Sequence, residues 1–166
     1  MPNLPQSLWD QAAAAHLLRR AAFGGRPEDA EGLAAAGLEG AVERLLTDGG
    51  RGLPLPPVTD PAEERRRREL RRALRSEDPA ARREFGAYNR AMNETFEAMR
   101  TWWLEGMRTS VAGVREKSTL FWHGHFATSQ TKVRCNHLML GQNETLRRLG
   151  TGPFRELCAA MVRDPA

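Results

Sequence analysis

Along this chain apolar residues return every three to four positions, and nowhere do they alternate with polar ones in the two-residue rhythm of a half-buried strand. Ser7 and Asp10 have the spacing of a capping box, after which Leu8, Trp9, Ala13, Leu17 and Ala21 share one face of a helix running to about Phe23. Gly24 and Gly25 end it. Pro27 stands where a helix accepts proline, at its first position, with Glu28 and Asp29 favourable in the first turn and Gly37 a natural stop. Leu38, Val42, Leu45 and Leu46 then form a stripe that ends before Gly49 and Gly50. Three short helices are predicted within residues 1–48.

Residues 49–61, GGRGLPLPPVTDP, carry four prolines and three glycines and read as a connection rather than an element. Asp60 with Pro61, and Asp78 with Pro79, each open a helix by the logic of an N-cap followed by proline. No proline intervenes between Pro79 and Pro153, which leaves room for long helices. Met92, Phe96, Met99, Trp103 and Met107 recur at spacings of four, three, four and four, the apolar stripe of one amphipathic helix. Residues 112–126 and 132–149 read as two further helices separated by the polar stretch Thr128 to Thr131. Gly150 and Gly152 stop the second, and Pro153 begins a last helix with Phe154, Leu157, Cys158 and Met161 on one side. The pattern predicts an all-α fold, an irregular bundle of about seven to eight helices with no sheet. Residues 62–166 form its long-helix region, the core is expected within 85–163, and the first 48 residues pack against it.

Composition narrows the class without naming an activity. The 166 residues are 40% apolar and 28% charged, which excludes a collagen, a membrane span and a disulfide-stapled miniprotein. The net charge is +4, spread as −2 over residues 1–59, +2 over 60–84 and +4 over 85–166, so no segment is a strong polycation. Lys117 and Lys132 are the only lysines. The run Arg65 to Arg68, continued by Arg71, Arg72 and Arg75, invites a nucleic-acid reading. However, Glu63 with Arg67 and Glu64 with Arg68 are helical pairs in the favourable orientation, and no aromatic residue is interleaved. A solvated helix is the expectation, with weak nucleic-acid binding as the alternative. Cys135 and Cys158 carry no sign of a bridge. The opening MPNLPQSLWDQ lacks a basic start and an unbroken apolar run, so no signal peptide is expected as written, and export would need an upstream start.

The polar residues that bear chemistry are sorted by a helical wheel. With Phe121 at zero, His125 falls at about 40° and His123 at about 200°, beside Glu116. His125 is therefore expected on the apolar face, as a core histidine bonded to a carbonyl, and His123 on the opposite side. A continuous helix cannot aim both rings at one ion, and no metal site is predicted. Cys135 and His137 point nearly opposite ways on their helix, and His137 is expected in solvent beside Glu144 and Arg148. Cys135, Leu138, Met139, Gln142, Leu146 and Leu149 form the inward face, where the Gln142 amide needs partners from another helix. Ser129, Thr131 and Lys132 precede a helix start. They are candidates for an anion site, although Ser129 or Thr131 serving as N-cap is the simpler reading. Ser129 or Cys135 with His125 lies in no recognisable nucleophile motif.

Three blocks, HLLRRAAFGGRPEDAEGL, LFWHGHFATSQTKV and GPFRELCAAMVRDPA, resemble in order the N-terminal third of the DUF1800 family. The tryptophan–histidine block is the most specific, and it departs from the family pattern in having Gly124 where asparagine is frequent. The resemblance implies a mainly helical bacterial protein of which this chain is a fragment, often exported and often accompanied by a sulfatase-like companion. It implies no catalytic residue or cofactor. The expected role is a structural or ligand- or partner-binding region, without a complete active site, that packs against a C-terminal region beyond Ala166. The alternative is part of a hydrolase or metal-dependent enzyme joining His123, His125 and Gln142 to residues beyond Ala166.

Overall fold

The computed structural model describes residues 6–47, 56–57, 59–109 and 113–166. Among the described residues there are nine α-helices and no strand, as the pattern requires. The first three are α1 (Gln11–Ala21), α2 (Pro27–Ala35) and α3 (Gly37–Thr47). They are followed by α4 (Glu63–Ala73), α5 (Pro79–Thr109) and α6 (Val114–His125). The last three are α7 (Gln130–Val133), α8 (Asn136–Leu149) and α9 (Phe154–Met161). The proline- and glycine-rich connection expected at 49–61 lies largely outside the described residues. The ninth helix arises because the segment expected to run unbroken over 132–149 is interrupted: Arg134 takes a left-handed φ of 52° and Cys135 is extended.

Local punctuation explains the first three helices. Asp10, rather than Ser7, is the N-cap of α1, its Oδ1 accepting the Ala13 amide at 2.8 Å, while Ser7 sits in a short 3-10 turn. Gly24, at φ 94°, donates its amide back to the Leu18 carbonyl and closes the C-terminus of α1. Asp29 accepts the Arg26 amide at 2.8 Å in front of Pro27, and Gly37, at φ 72°, turns the chain from α2 into α3.

These helices hold the apolar core cluster, made of Ala14, Leu18, Ala30, Leu33, Ala41 and Leu45. This burial pattern adds a second apolar centre to the core expected in 85–163, where Met99, Met139, Leu146 and Leu157 are also buried. It also corrects the α3 stripe, since Val42 is exposed and Leu46 is 62% exposed, while Ala41 and Leu45 face inward. The reason is steric: alanine on each helix lets the three backbones approach, and the bulkier neighbours then find no room between them. The trio is tied to α6 by Val114, which packs on its core, and by Lys117. The Lys117 ammonium donates to the carbonyls of Arg19 at 2.8 Å and Ala22 at 2.6 Å, satisfying the free C-terminal end of α1. Gly113 permits this approach, because a Cβ there would stand 2.9 Å from that of Ala22.

The other half is organised around α5, which at 31 residues spans about 46 Å. Asp78 caps it, accepting the Ala80 amide at 2.8 Å ahead of Pro79. α4 packs on α5 through buried Leu70, while the Tyr88 hydroxyl donates to the Glu63 carbonyl at 3.0 Å. Burial first, and the Glu63 carboxylate second, push Tyr88 up to about 12, so its hydroxyl remains a donor. Most of the arginines of α4 are in solvent, and Arg68 pairs with Glu64, as expected.

Glu63 departs from its expected pairing with Arg67. It is only 2% exposed, and its two oxygens accept the amides of Asn136 at 2.9 Å and His137 at 3.0 Å. α8 begins after Cys135, which offers no capping side chain, so the acceptor for its free amides comes from α4. The same approach half-buries His137, whose Nδ1 lies 3.1 Å from the Thr59 hydroxyl; it is not the solvated residue the wheel suggests. Replacing Glu63 by alanine strands two buried amides and is expected to lower unfolding free energy by about 3 kcal/mol. Urea denaturation measures this, and a loss below about 0.5 kcal/mol would show that water caps α8 equally well.

Candidate functional site

The methionine and aromatic stripe of α5 does not close completely on its neighbours. Phe96, Met99, Trp103 and Met107 face Leu120 and His123 of α6 across a groove of about 520 Å³. Met139 and Leu140 of α8 form another wall, and Thr128, Ser129, Gln130 and Thr131 border it at α7. Met99 and Met139 are buried, so the groove is continuous with packed interior.

Polar groups behind the wall hold it in shape. Glu116, 4% exposed, accepts the Trp103 indole N–H at 2.7 Å. It also accepts Arg147 Nε at 2.7 Å and Nη2 at 3.1 Å. The same guanidinium donates to Asn143 Oδ1 at 2.7 Å and Glu144 Oε1 at 2.6 Å, and lies 5.2 Å from the Trp102 ring centre. Sequence reasoning placed Glu116 on the outer side of its helix and missed Arg147 and Asn143, because the pair joins α6 to α8 across 31 positions and leaves no local spacing to read. Trp122 fixes the far end of α8, its N–H donating to the Gly150 carbonyl at 2.7 Å. Gly150 allows the contact, since a Cβ there would lie 2.9 Å from the indole Cδ1.

The two candidate histidines exchange their expected places. His123 turns into the groove, its ring edge-on to Trp103 at 5.5 Å, and its Nδ1 is buried with no hydrogen-bond partner among the described residues. His125 is exposed, stacked near Phe121 at 6.2 Å and edge-on to Phe126 at 5.2 Å. The wheel took Phe121 as the inward reference, yet that ring is 62% exposed. α6 instead buries Glu116, satisfied by Trp103 and Arg147, and Thr119, whose hydroxyl donates to the Arg115 carbonyl at 2.8 Å. With its polar residues satisfied internally, the helix is rotated and its phenylalanine faces outward.

His123 and His125 thus lie on different sides of α6, and among the described residues no group of three or more His, Cys, Asp or Glu side chains is placed to hold a metal ion. Gln142 is buried on the inward face as expected. It takes no part in the groove wall, because its Nε2 donates to Asp164 at 3.0 Å beyond α9. Ser129 occupies the N-cap position of α7, but its hydroxyl bonds that of Thr131 at 2.8 Å instead of capping an amide. Lys132 is exposed. Cys135 and Cys158 are free thiols, and burial pushes the Cys135 thiol up, away from the reactive thiolate. Cys135 lies beside Glu63 and His125 among Phe121, Trp122 and Phe126, so no thiol–imidazole pair forms.

Burial holds the His123 imidazole below the usual histidine range, so at neutral pH the groove presents a neutral ring able to donate or accept one hydrogen bond. Because the folded value is depressed, the unfolded chain binds more protons in the window below about 6.5. The associated stability is complete above that pH and is lost as pH falls toward the folded value. Thermal unfolding between pH 7 and pH 5 is expected to show a larger fall in midpoint for the native protein than for His123→Gln. Equal falls would show that this ring titrates as it does in water.

The model of a family described as "Protein of unknown function (DUF1800)" matches residues 16–166. No curated protein and no solved structure matches the chain.

Proposed function

Because the chain belongs to the DUF1800 family, whose description carries no activity, we propose from the groove itself that this region binds the apolar part of a small ligand. The observation that carries the reading is the wall: methionines and indoles from α5 border an unfilled space beside one neutral imidazole whose Nδ1 has no hydrogen-bond partner among the described residues. Methionine adapts its shape to apolar guests, and a few polar groups at the edge of an apolar pocket orient what enters. The favoured ligand is uncharged at its buried end, flat or branched, and carries one hydrogen-bonding atom for His123.

A neutral fluorescent probe, N-phenyl-1-naphthylamine, tests this directly. It is expected to brighten on binding and to be displaced by the natural ligand class. Leu104 lies on the groove rim and is 60% exposed, so Leu104→Glu places a charge at the mouth while sparing the packed interior. Probe affinity should drop about tenfold in that variant with the unfolding midpoint nearly unchanged. Identical titration curves for the two proteins would remove the groove as the binding site.

A further inference from the structure

The arginine run of α4 and the polar turn at α7, distant in sequence, meet in a second cleft. Arg67 and Arg71, one helical turn apart on α4, line a cavity of about 270 Å³ together with Arg134, which directly follows α7. Asn89 and Asn93, one turn apart on α5, share its wall with Gln130 and Thr131, and among the described residues no carboxylate lines it. Like charges gathered without a counter-charge repel one another, and elsewhere in this protein the buried guanidinium is fully paired. Here it is otherwise. Arg67 and Arg71 make no ion pair among the described residues, and Arg67 Nε is buried without a hydrogen-bond partner. Arg134 adopts a left-handed backbone, and its Nε donates to the Thr131 carbonyl at 3.0 Å, which orients the guanidinium while its terminal nitrogens have no hydrogen-bond partner among the described residues.

We infer that this cleft is an anion site built for a phosphate group, whether the free ion or a phosphomonoester. A tetrahedral dianion satisfies several donors at once, and three guanidinium groups supplemented by side-chain amides are a donor set of that kind. The cavity is at the lower limit for organic ligands, which fits a phosphate on a small body. The stacked rings of Phe85 and Tyr88, 6.5 Å apart, border it and offer that body an apolar ledge. This site is separate from the apolar groove, and its existence does not depend on what the groove binds.

The test is calorimetric titration of the protein with inorganic phosphate and with phenyl phosphate at matched ionic strength. Arg71→Gln, Arg134→Gln and Arg75→Gln are compared, all three positions being exposed. Binding of phosphate should weaken about tenfold in each of the first two variants and stay within about twofold in Arg75→Gln, which lies outside the cleft. Tighter binding of phenyl phosphate assigns the ester as the source; equal binding assigns the free ion, and either result supports a phosphate site. Absence of binding to the native protein, or an equal loss in Arg75→Gln, overturns it. A single-stranded oligonucleotide that binds more tightly than either probe, and loses affinity equally in Arg71→Gln and Arg75→Gln, overturns it in favour of a nucleic-acid surface.

Discussion

A carboxylate sealed from water on α6 and a guanidinium from α8 form the contact on which the second half of this protein depends. Taking both charges out of water costs several kcal/mol, and geometry must recover it. The recovery is visible: Glu116 accepts three hydrogen bonds, two from Arg147 and one from Trp103, while the other Arg147 donors reach Asn143 and Glu144. Within this network each member fixes the next, and an indole of the groove is held by the same carboxylate that holds α8. An apolar interior of the same volume would leave that ring free to collapse into the space beside it.

α8 is pinned at both ends by residues from elsewhere. Glu63 supplies the acceptor for its first amides, and Trp122 closes on its terminal carbonyl at Gly150. Asn136 adds a bond to the Met92 carbonyl, at 2.8 Å, so α5 and α8 keep a fixed separation. Between them α7 acts as a partition: Gln130 and Thr131 belong to the wall of the apolar groove and to that of the arginine cleft. This four-residue helix ends at the left-handed Arg134.

The signals that act within a few residues were legible in the sequence. Pro27 and Pro79 at first helical positions, Asp78 as a cap, the turns at Gly24 and Gly37, and the stripe from Met92 to Met107 all appear where their spacing places them. What sequence reading lost was decided by partners far along the chain. Hydrophobicity ranks phenylalanine above glutamate, so the wheel on α6 put Phe121 inward and reversed His123 and His125. Only Arg147 and Trp103, waiting across the interface, make Glu116 the residue to bury. Glu63 was assigned a local arginine for the same reason, when its destination was an uncapped helix 73 positions away. In α1 to α3 the error had another source, since small side chains set how closely helices pack and bulk alone does not reveal the seam.

A double-mutant cycle on Glu116 and Arg147 probes the buried pair most directly. Glu116→Gln, Arg147→Met and the combined variant are compared with the native protein by chemical denaturation. Strong mutual dependence is predicted, with a coupling of about 2–3 kcal/mol, the combined variant being less destabilised than the sum of the two single variants. Single effects that simply add within about 0.5 kcal/mol would contradict it, and would mean that α6 and α8 are held by packing in which this pair takes no part.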